Sequence, residues 1–114
     1  MKAKTVTALS VDHPLVVRLL TAKKLREDDV EGVAACAVAP DSMYPGHPSG
    51  LNCPTTKAEK DAIRVCWSCP LIELCLLQEQ REVGRVEDIL GVRAGAKQAA
   101  RQALYLTVQK AGLL

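Results

Sequence analysis

The sequence predicts a small all-α domain of about four helices with irregular loops between them. Three observations favour this class. Apolar residues recur with a helical period in the first and last of the predicted helices, capping residues or prolines mark the starts of several, and no run alternates apolar and polar residues as a half-buried strand does. The length of 114 residues also fits one small domain and excludes a large multi-layer enzyme.

The first helix is expected over about residues 14–27. Asp12 is placed to cap its start, Pro14 suits its first turn, and Leu and Val residues then form a helical stripe. Residues 37–55 contain four prolines and two glycines, which predicts an irregular connection. A connection of this length needs something to hold it in a compact domain.

Two further helices are expected in the middle of the chain. Thr56 and Glu59 have the spacing of a capping box and predict a helix over about 57–66. Pro70 begins the next, at about 70–82, and leucines on most of its faces predict that it is buried.

The last third is expected to hold a short turn, a reversal and a long helix. Residues 86–90 predict one helical turn, and the glycines of Gly91–Gly95 predict a tight reversal. An alanine-rich stripe then predicts a helix over about 96–111, which Gly112 ends.

The cysteines carry the strongest chemical signal. Cys66, Cys69 and Cys75 have the spacing C-x2-C-x5-C, and 29 residues separate Cys36 from Cys66. Five cysteines in all disfavour a fully paired disulfide scaffold, and Cys53 is expected to be a spare thiol. No segment resembles a signal peptide or a membrane span, so we expect a cytoplasmic protein without membrane contact, in a reducing compartment where clustered cysteines more often bind metal.

The spacing leaves the identity of the bound group open. One close pair, a third cysteine and a distant fourth favour an iron–sulfur cluster, because a cluster is wider than one ion and tolerates unequal spacing. A structural zinc ion is the second interpretation, although such sites usually use two close pairs. Disulfides are the third.

Several motifs together resemble the WhiB-like transcription regulators of actinobacteria and their phages. They are Ala35-Cys36, Pro40–Pro45, Val65–Leu71, Cys75-Leu76 and Gly91–Gly95, within roughly residues 33–104. The resemblance implies a [4Fe-4S] cluster held by Cys36, Cys66, Cys69 and Cys75 and sensitive to oxygen and nitric oxide. It also implies docking on the C-terminal domain of the principal sigma factor and regulation of transcription.

The resemblance also implies a partner surface. Met43 and Tyr44 lie where the family has paired aromatics, and Arg93 replaces the Trp of the family's glycine-rich turn, with Ala94 in place of Gly. We therefore take Met43, Tyr44, Trp67, Val92 and Arg93 as candidate partner contacts. An equally weighted interpretation of Trp67 is that it covers a face of the cluster.

On this interpretation the chain divides into three parts. Residues 1–32 form a helical extension, residues 33–95 form the iron–sulfur domain, and residues 96–114 form a basic helix. Residues 91–114 carry four basic side chains and no acidic one, whereas residues 36–90 carry five basic and eight acidic side chains. This asymmetry is expected of a segment that meets a polyanion or an acidic partner.

The basic helix supplies the candidate DNA contacts Lys97, Arg101 and Lys110. Lys97, Arg101 and Tyr105 are spaced to share a face opposite the alanine stripe, which is either a solvated face or a weak phosphate-binding one. Residues 86–104 also give a weak match to a helix-turn-helix.

Two other classes of function compete with a cluster-binding regulator. No nucleophile, base and orienting group stand out, so a conventional enzyme is not expected. Cys66-Trp67-Ser68-Cys69 could instead serve a thiol–disulfide oxidoreductase. The third class is a zinc-stabilised DNA-binding module.

Overall fold

Four α-helices form the regular structure of residues 9–10, 12–24 and 40–114, the part of the chain that the computed structural model describes. They are α1 at Pro14–Ala22, α2 at Lys57–Trp67, α3 at Ile72–Glu82 and α4 at Gln98–Ala111. Short 3-10 turns occupy Pro40–Met43 and Val86–Asp88, and no strand occurs among these residues. The predicted all-α class is therefore confirmed. None of the described helices is both long enough and apolar enough to cross a membrane.

The ends of α1 differ from the prediction. His13, not Asp12, is the N-cap residue, and its Nδ1 accepts a hydrogen bond from the Leu15 N–H at 3.0 Å. Pro14 occupies the first turn as expected. The helix ends at Ala22, the last residue of its buried stripe, because the exposed Lys23 and Lys24 offer nothing apolar to bury. Residues 25–27 of the predicted helix lie outside the described residues.

The capping box of α2 is confirmed. The Glu59 N–H donates to Thr56 Oγ1 at 3.1 Å, and the Thr56 N–H donates to Glu59 Oε1 at 2.9 Å. The helix runs one residue beyond the expected end, to Trp67. A cap of this kind contributes about 1 kcal/mol, so a local signal accounts for where α2 begins.

The start of α3 is two residues later than predicted. A turn at Pro70 and Leu71 precedes the helix, and Leu71 takes the N-cap position without a side-chain cap. Cys75 consequently lies in the first turn of α3 rather than the second. Leu76, Leu77 and their neighbours Glu79 and Gln80 are buried, as expected for this helix.

The reversal before α4 is confirmed. Arg93 and Ala96 exchange backbone hydrogen bonds of 3.0 and 3.2 Å across the turn. Gly91 is required there: its φ is +67°, and a Cβ would lie 2.5 Å from the Met43 carbonyl oxygen. The close approach lets the Val92 N–H donate to the same carbonyl at 2.6 Å. The turn is thereby joined to the 3-10 turn at Pro40–Met43.

The helices enclose one main core and one smaller cluster. The main core contains these buried residues: Leu15, Val16, Leu19, Ala22, Leu76, Leu77, Ala94, Ala96, Leu104 and Val108. The smaller cluster contains Met43, Ala62, Cys66 and Val92. Since α1, α3 and α4 all contribute to the main core, α1 and the C-terminal helix α4 both pack with α3. Each fully buried Leu here contributes roughly 1.5–3 kcal/mol.

Candidate metal centre

Three cysteines of the C-x2-C-x5-C motif line one cavity of about 550 Å³. Cys66 lies in the last turn of α2, Cys69 in the connection to α3, and Cys75 in the first turn of α3. The short helix–turn–helix connection brings them to the same wall. Cys53 is exposed and is not part of this wall. The predicted fourth ligand, Cys36, lies outside the described residues.

The rest of the cavity wall is mainly apolar, with a few polar groups on one side. Its other lining residues are Met43, Tyr44, Leu71, Ile72, Leu74, Gln78, Glu79, Val83, Asp88, Leu90, Val92, Arg93 and Ala94. Most of them come from α3, from the Gly91–Gly95 turn and from the 3-10 turn at Pro40–Met43, and the others lie in the connections next to these elements.

Two of the sulfurs accept hydrogen bonds from nearby donors. Arg93 Nε donates to Cys75 Sγ at 3.1 Å, and the Leu71 N–H donates to Cys69 Sγ at 3.4 Å. Burial acts to lower the pKa of Arg93, but its hydrogen bond to Cys75 and the nearby acidic groups outweigh burial and raise that pKa. Arg93 therefore stays a cation beside the sulfur.

The donor set suits a thiolate-bound inorganic group. Soft sulfur ligands select zinc, copper(I) and iron–sulfur centres, and an apolar shell with N–H donors to sulfur is how proteins adjust such centres. Among the described residues no three His, Cys, Asp or Glu side chains form a group that could hold a single metal ion. Nor does a disulfide join any two of the described cysteines. Cys66, Cys69 and Cys75 are donors of the type that such centres use, and all three line the same cavity.

A buried ion pair adjoins the cavity, whose wall includes Glu79. Arg101 is fully buried and Glu79 is 3% exposed. Arg101 Nε and Nη2 bind the two Glu79 carboxylate oxygens at 2.7 and 3.1 Å. Arg101 also donates to the carbonyls of Leu90, Gly91 and Ala96 at 2.6–2.9 Å. One guanidinium thus joins α4 to α3 and fixes both ends of the Gly91–Gly95 turn.

Lys97 is likewise buried, and it holds the proline-rich connection. Its Nζ donates to Ser49 Oγ and to the carbonyls of Gly50 and Cys53 at 2.8–3.0 Å. Glu59 holds the same segment from α2, because its carboxylate accepts from the Ser49 N–H at 3.0 Å and the Ser49 hydroxyl at 2.6 Å. Burial acts to raise the pKa of Glu59, but hydrogen bonds from Ser49 and Thr56 outweigh it and hold that pKa below its ordinary value.

These contacts correct two expectations. Lys97, Arg101 and Tyr105 do share one side of α4, but all three are buried, so the predicted solvated or phosphate-binding face is wrong. Of the predicted DNA contacts only Lys110 is exposed. The helix-turn-helix interpretation is also wrong, because Val86–Asp88 is a single 3-10 turn and not a helix.

The predicted partner contacts divide between the interior and the surface. Met43 and Val92 are buried in the smaller cluster, whereas Tyr44 is 66% and Trp67 58% exposed. Arg93 is partly exposed. The Trp67 ring is nevertheless held in place, since the Arg18 guanidinium lies 5.0 Å from its centroid and Gly95 lies against its other atoms. Arg18 is oriented in turn by Glu73, at 2.5 and 2.9 Å, and by the Ala94 carbonyl.

No protein-family model, curated protein or solved structure matches this chain.

Sequence reasoning missed the polar contacts that organise the site: Arg101 with Glu79, Arg93 with Cys75, and Arg18 with Trp67. One signal did point toward them. The acidic excess of residues 36–90 and the basic excess of residues 91–114 are complementary, and part of that complementarity is satisfied inside the molecule by Arg101 and Arg93. From the sequence alone, the same asymmetry indicates a polyanion or an acidic partner outside the molecule.

Proposed function

We propose that this protein is an iron–sulfur transcription regulator of the cytoplasm. Cys36, Cys66, Cys69 and Cys75 would hold a [4Fe-4S] cluster, and the chain would dock on the C-terminal domain of the principal sigma factor. The observation that carries the proposal is that Cys66, Cys69 and Cys75 line one mainly apolar cavity. An apolar wall limits the access of solvent and of oxidants to a cluster, which is how a protein sets its reactivity. Oxygen or nitric oxide would have to enter this cavity to reach such a cluster.

The exposed aromatic residues near the cavity support the docking part of the proposal. Trp and Tyr are enriched among the residues that dominate protein interfaces. Arg18 and Gly95 lie close to the Trp67 ring and hold it in one position before a partner binds. Binding would therefore cost less side-chain conformational entropy than for a freely rotating ring. A direct contact with promoter DNA is left to Lys110, which is exposed near the end of α4.

The cluster is tested by anaerobic purification and reconstitution, followed by visible absorption and by counts of iron and acid-labile sulfide per chain. We expect the wild type and Cys53→Ser to reach [4Fe-4S] stoichiometry, and Cys36→Ser, Cys66→Ser, Cys69→Ser and Cys75→Ser to lose it. Cys53→Ser is the matched control because Cys53 is exposed and outside the cavity wall. Equal cluster content in Cys69→Ser and Cys53→Ser would contradict the proposal, and stoichiometric zinc without iron would favour the zinc-stabilised module.

The partner is tested with the isolated C-terminal domain of the sigma factor. Trp67→Ala should weaken binding by about 2 kcal/mol, or roughly 30-fold in Kd, if Trp67 is an interface anchor. Val17→Ala is the control, because Val17 is also an exposed apolar residue but lies on α1. Equal affinities of the two variants would remove Trp67 from the interface. Insulin reduction that depends only on Cys66 and Cys69 would favour the oxidoreductase instead.

A further inference from the structure

The guanidinium of Arg93 is a charged group in direct contact with a predicted cluster ligand. Its Nε donates to Cys75 Sγ at 3.1 Å, and its Nη1 lies 3.9 Å from Glu79 Oε2. Arg93 and Cys75 are 18 residues apart, so this contact is tertiary. It depends on how the Gly91–Gly95 turn packs against the first turn of α3.

The backbone of that turn is held by contacts that do not involve Arg93's own side chain. Arg101 binds the carbonyls of Gly91 and Ala96 on either side of it, and Arg18 binds the carbonyl of Ala94 at 2.8 Å. Arg93 itself exchanges backbone hydrogen bonds with Ala96. The side chain is therefore presented to the sulfur by a rigid support, which is the condition for one residue to adjust a bound centre.

The sign of the effect follows from charge. A ligating cysteine is a thiolate, and a guanidinium N–H on a thiolate is a charge-assisted hydrogen bond. A cluster bound here would carry one more negative charge after reduction by an electrode or a chemical reductant, and Arg93 would keep its proton and its hydrogen bond in both states. A fixed cation beside a ligand sulfur stabilises the more negative state, and hydrogen bonds to the sulfurs are among the factors that set cluster potentials.

Glu79 does not cancel this effect. Both of its carboxylate oxygens are bound by Arg101 at 2.7 and 3.1 Å, whereas the nearest Arg93 nitrogen is 3.9 Å away. The negative charge of Glu79 is thus mainly compensated by the buried Arg101. The charge of Arg93 is directed to the sulfur.

We propose that Arg93 is a positioning residue for Cys75 that raises the reduction potential of the cluster. This inference rests on the proposed function, because it requires that Cys75 bind a cluster. The redox range over which the regulator responds would then be set by a residue of the Gly91–Gly95 turn.

The experiment measures the reduced fraction of the reconstituted full-length chain at a fixed, poised potential, together with iron and sulfide per chain and far-ultraviolet circular dichroism. Arg93→Gln removes the charge, and Arg93→Lys keeps it. Arg81→Gln is the matched control, since it removes one positive charge from an exposed site on the helix that carries Cys75. Loss of one charge-assisted hydrogen bond should lower the reduced-to-oxidised ratio of Arg93→Gln roughly tenfold, which for a one-electron couple is about 59 mV.

The outcomes separate this inference from the proposed function. A lowered ratio in Arg93→Gln, with Arg93→Lys and Arg81→Gln close to the wild type, supports the inference. A cluster-loaded Arg93→Gln that titrates like Arg81→Gln overturns it and leaves the proposed function standing. An equal shift in Arg93→Gln and Arg93→Lys also overturns it, because the charge would then not be the cause. A wild-type chain that takes up no iron and sulfide refutes both.

Discussion

Replacing the buried Arg101 by methionine should strongly destabilise the fold. Methionine has a similar length and leaves no charge, but it leaves the Glu79 carboxylate, 3% exposed, without its two closest donors. It also removes the Arg101 donor from three backbone carbonyls in or beside the Gly91–Gly95 turn, of which that of Ala96 keeps the Arg93 N–H.

The structure sets the size of the effect. Breaking a buried ion pair by removing one partner costs about 3–5 kcal/mol, because an uncompensated charge stays buried. Arg93, 3.9 Å from the same carboxylate, compensates part of that charge and favours the lower end of the range. Each carbonyl that loses its donor adds about 1–3 kcal/mol unless water reaches it. Against a total stability of about 5–15 kcal/mol for a domain, Arg101→Met should lose a third or more.

The assay is urea unfolding followed by circular dichroism, with all chains compared at the same iron content. Lys110→Gln is the control, because Lys110 is an exposed cation of the same helix and should change stability by less than about 0.5 kcal/mol. The double variant Glu79→Leu/Arg101→Met should recover part of the loss, since it removes the buried charge but does not restore the carbonyl bonds. If Arg101→Met were as stable as Lys110→Gln, the reasoning would be refuted and Arg101 would be the solvated side chain that its spacing suggested.

Two further predictions concern the contacts around α2 and Trp67. Folding lowers the pKa of Glu59 from 4.5, so the stabilisation by its carboxylate is complete above about pH 4.5 and is lost as the pH falls through the lower folded value. In thermal unfolding at a series of pH values, Glu59→Gln should therefore lose less stability than the wild type as the pH falls. Parallel stability–pH curves of the two proteins would contradict this. Gly95→Ala should lower the free energy of unfolding by about 1–2 kcal/mol, because φ at Gly95 is +73°. It should also shift the fluorescence of the single Trp, because a Cβ at this position would lie 3.0 Å from the indole. Gly84→Ala is the control and should leave the spectrum unchanged, since a Cβ there would have nothing within 4 Å. Identical spectra for the two alanine variants would show that the indole does not rest on Gly95.

The contacts of the proline-rich connection bear on what loss of the proposed cluster would do. The length of this connection predicts that something holds it in the domain. In the structure Lys97 and Glu59 hold its second half through Ser49 and the neighbouring carbonyls. Because these contacts involve none of the candidate cluster ligands, residues around Ser49 should keep their amide protection from exchange when the proposed cluster is lost.

Signals that act within a few residues were sufficient for much of the fold. The capping box at Thr56 and Glu59 defined the start of α2, Pro14 opened α1, and Gly112 ended α4. The same is true of the three cysteines that line the cavity. Their separations of three and six residues span one helix end, one turn and one helix start, so local geometry alone brings them to one wall.

The tertiary structure alone decided which charges face inward. Helical periodicity places Lys97, Arg101 and Tyr105 on one face of α4. It does not specify whether another part of the chain covers that face. In the structure this face packs against α3, the Gly91–Gly95 turn and the connection at Ser49. These segments supply the Glu79 carboxylate and the carbonyls that accept hydrogen bonds from Lys97 and Arg101. Because a buried cation is stable only where such partners are already assembled, its position follows from the packing of distant segments and not from the local pattern.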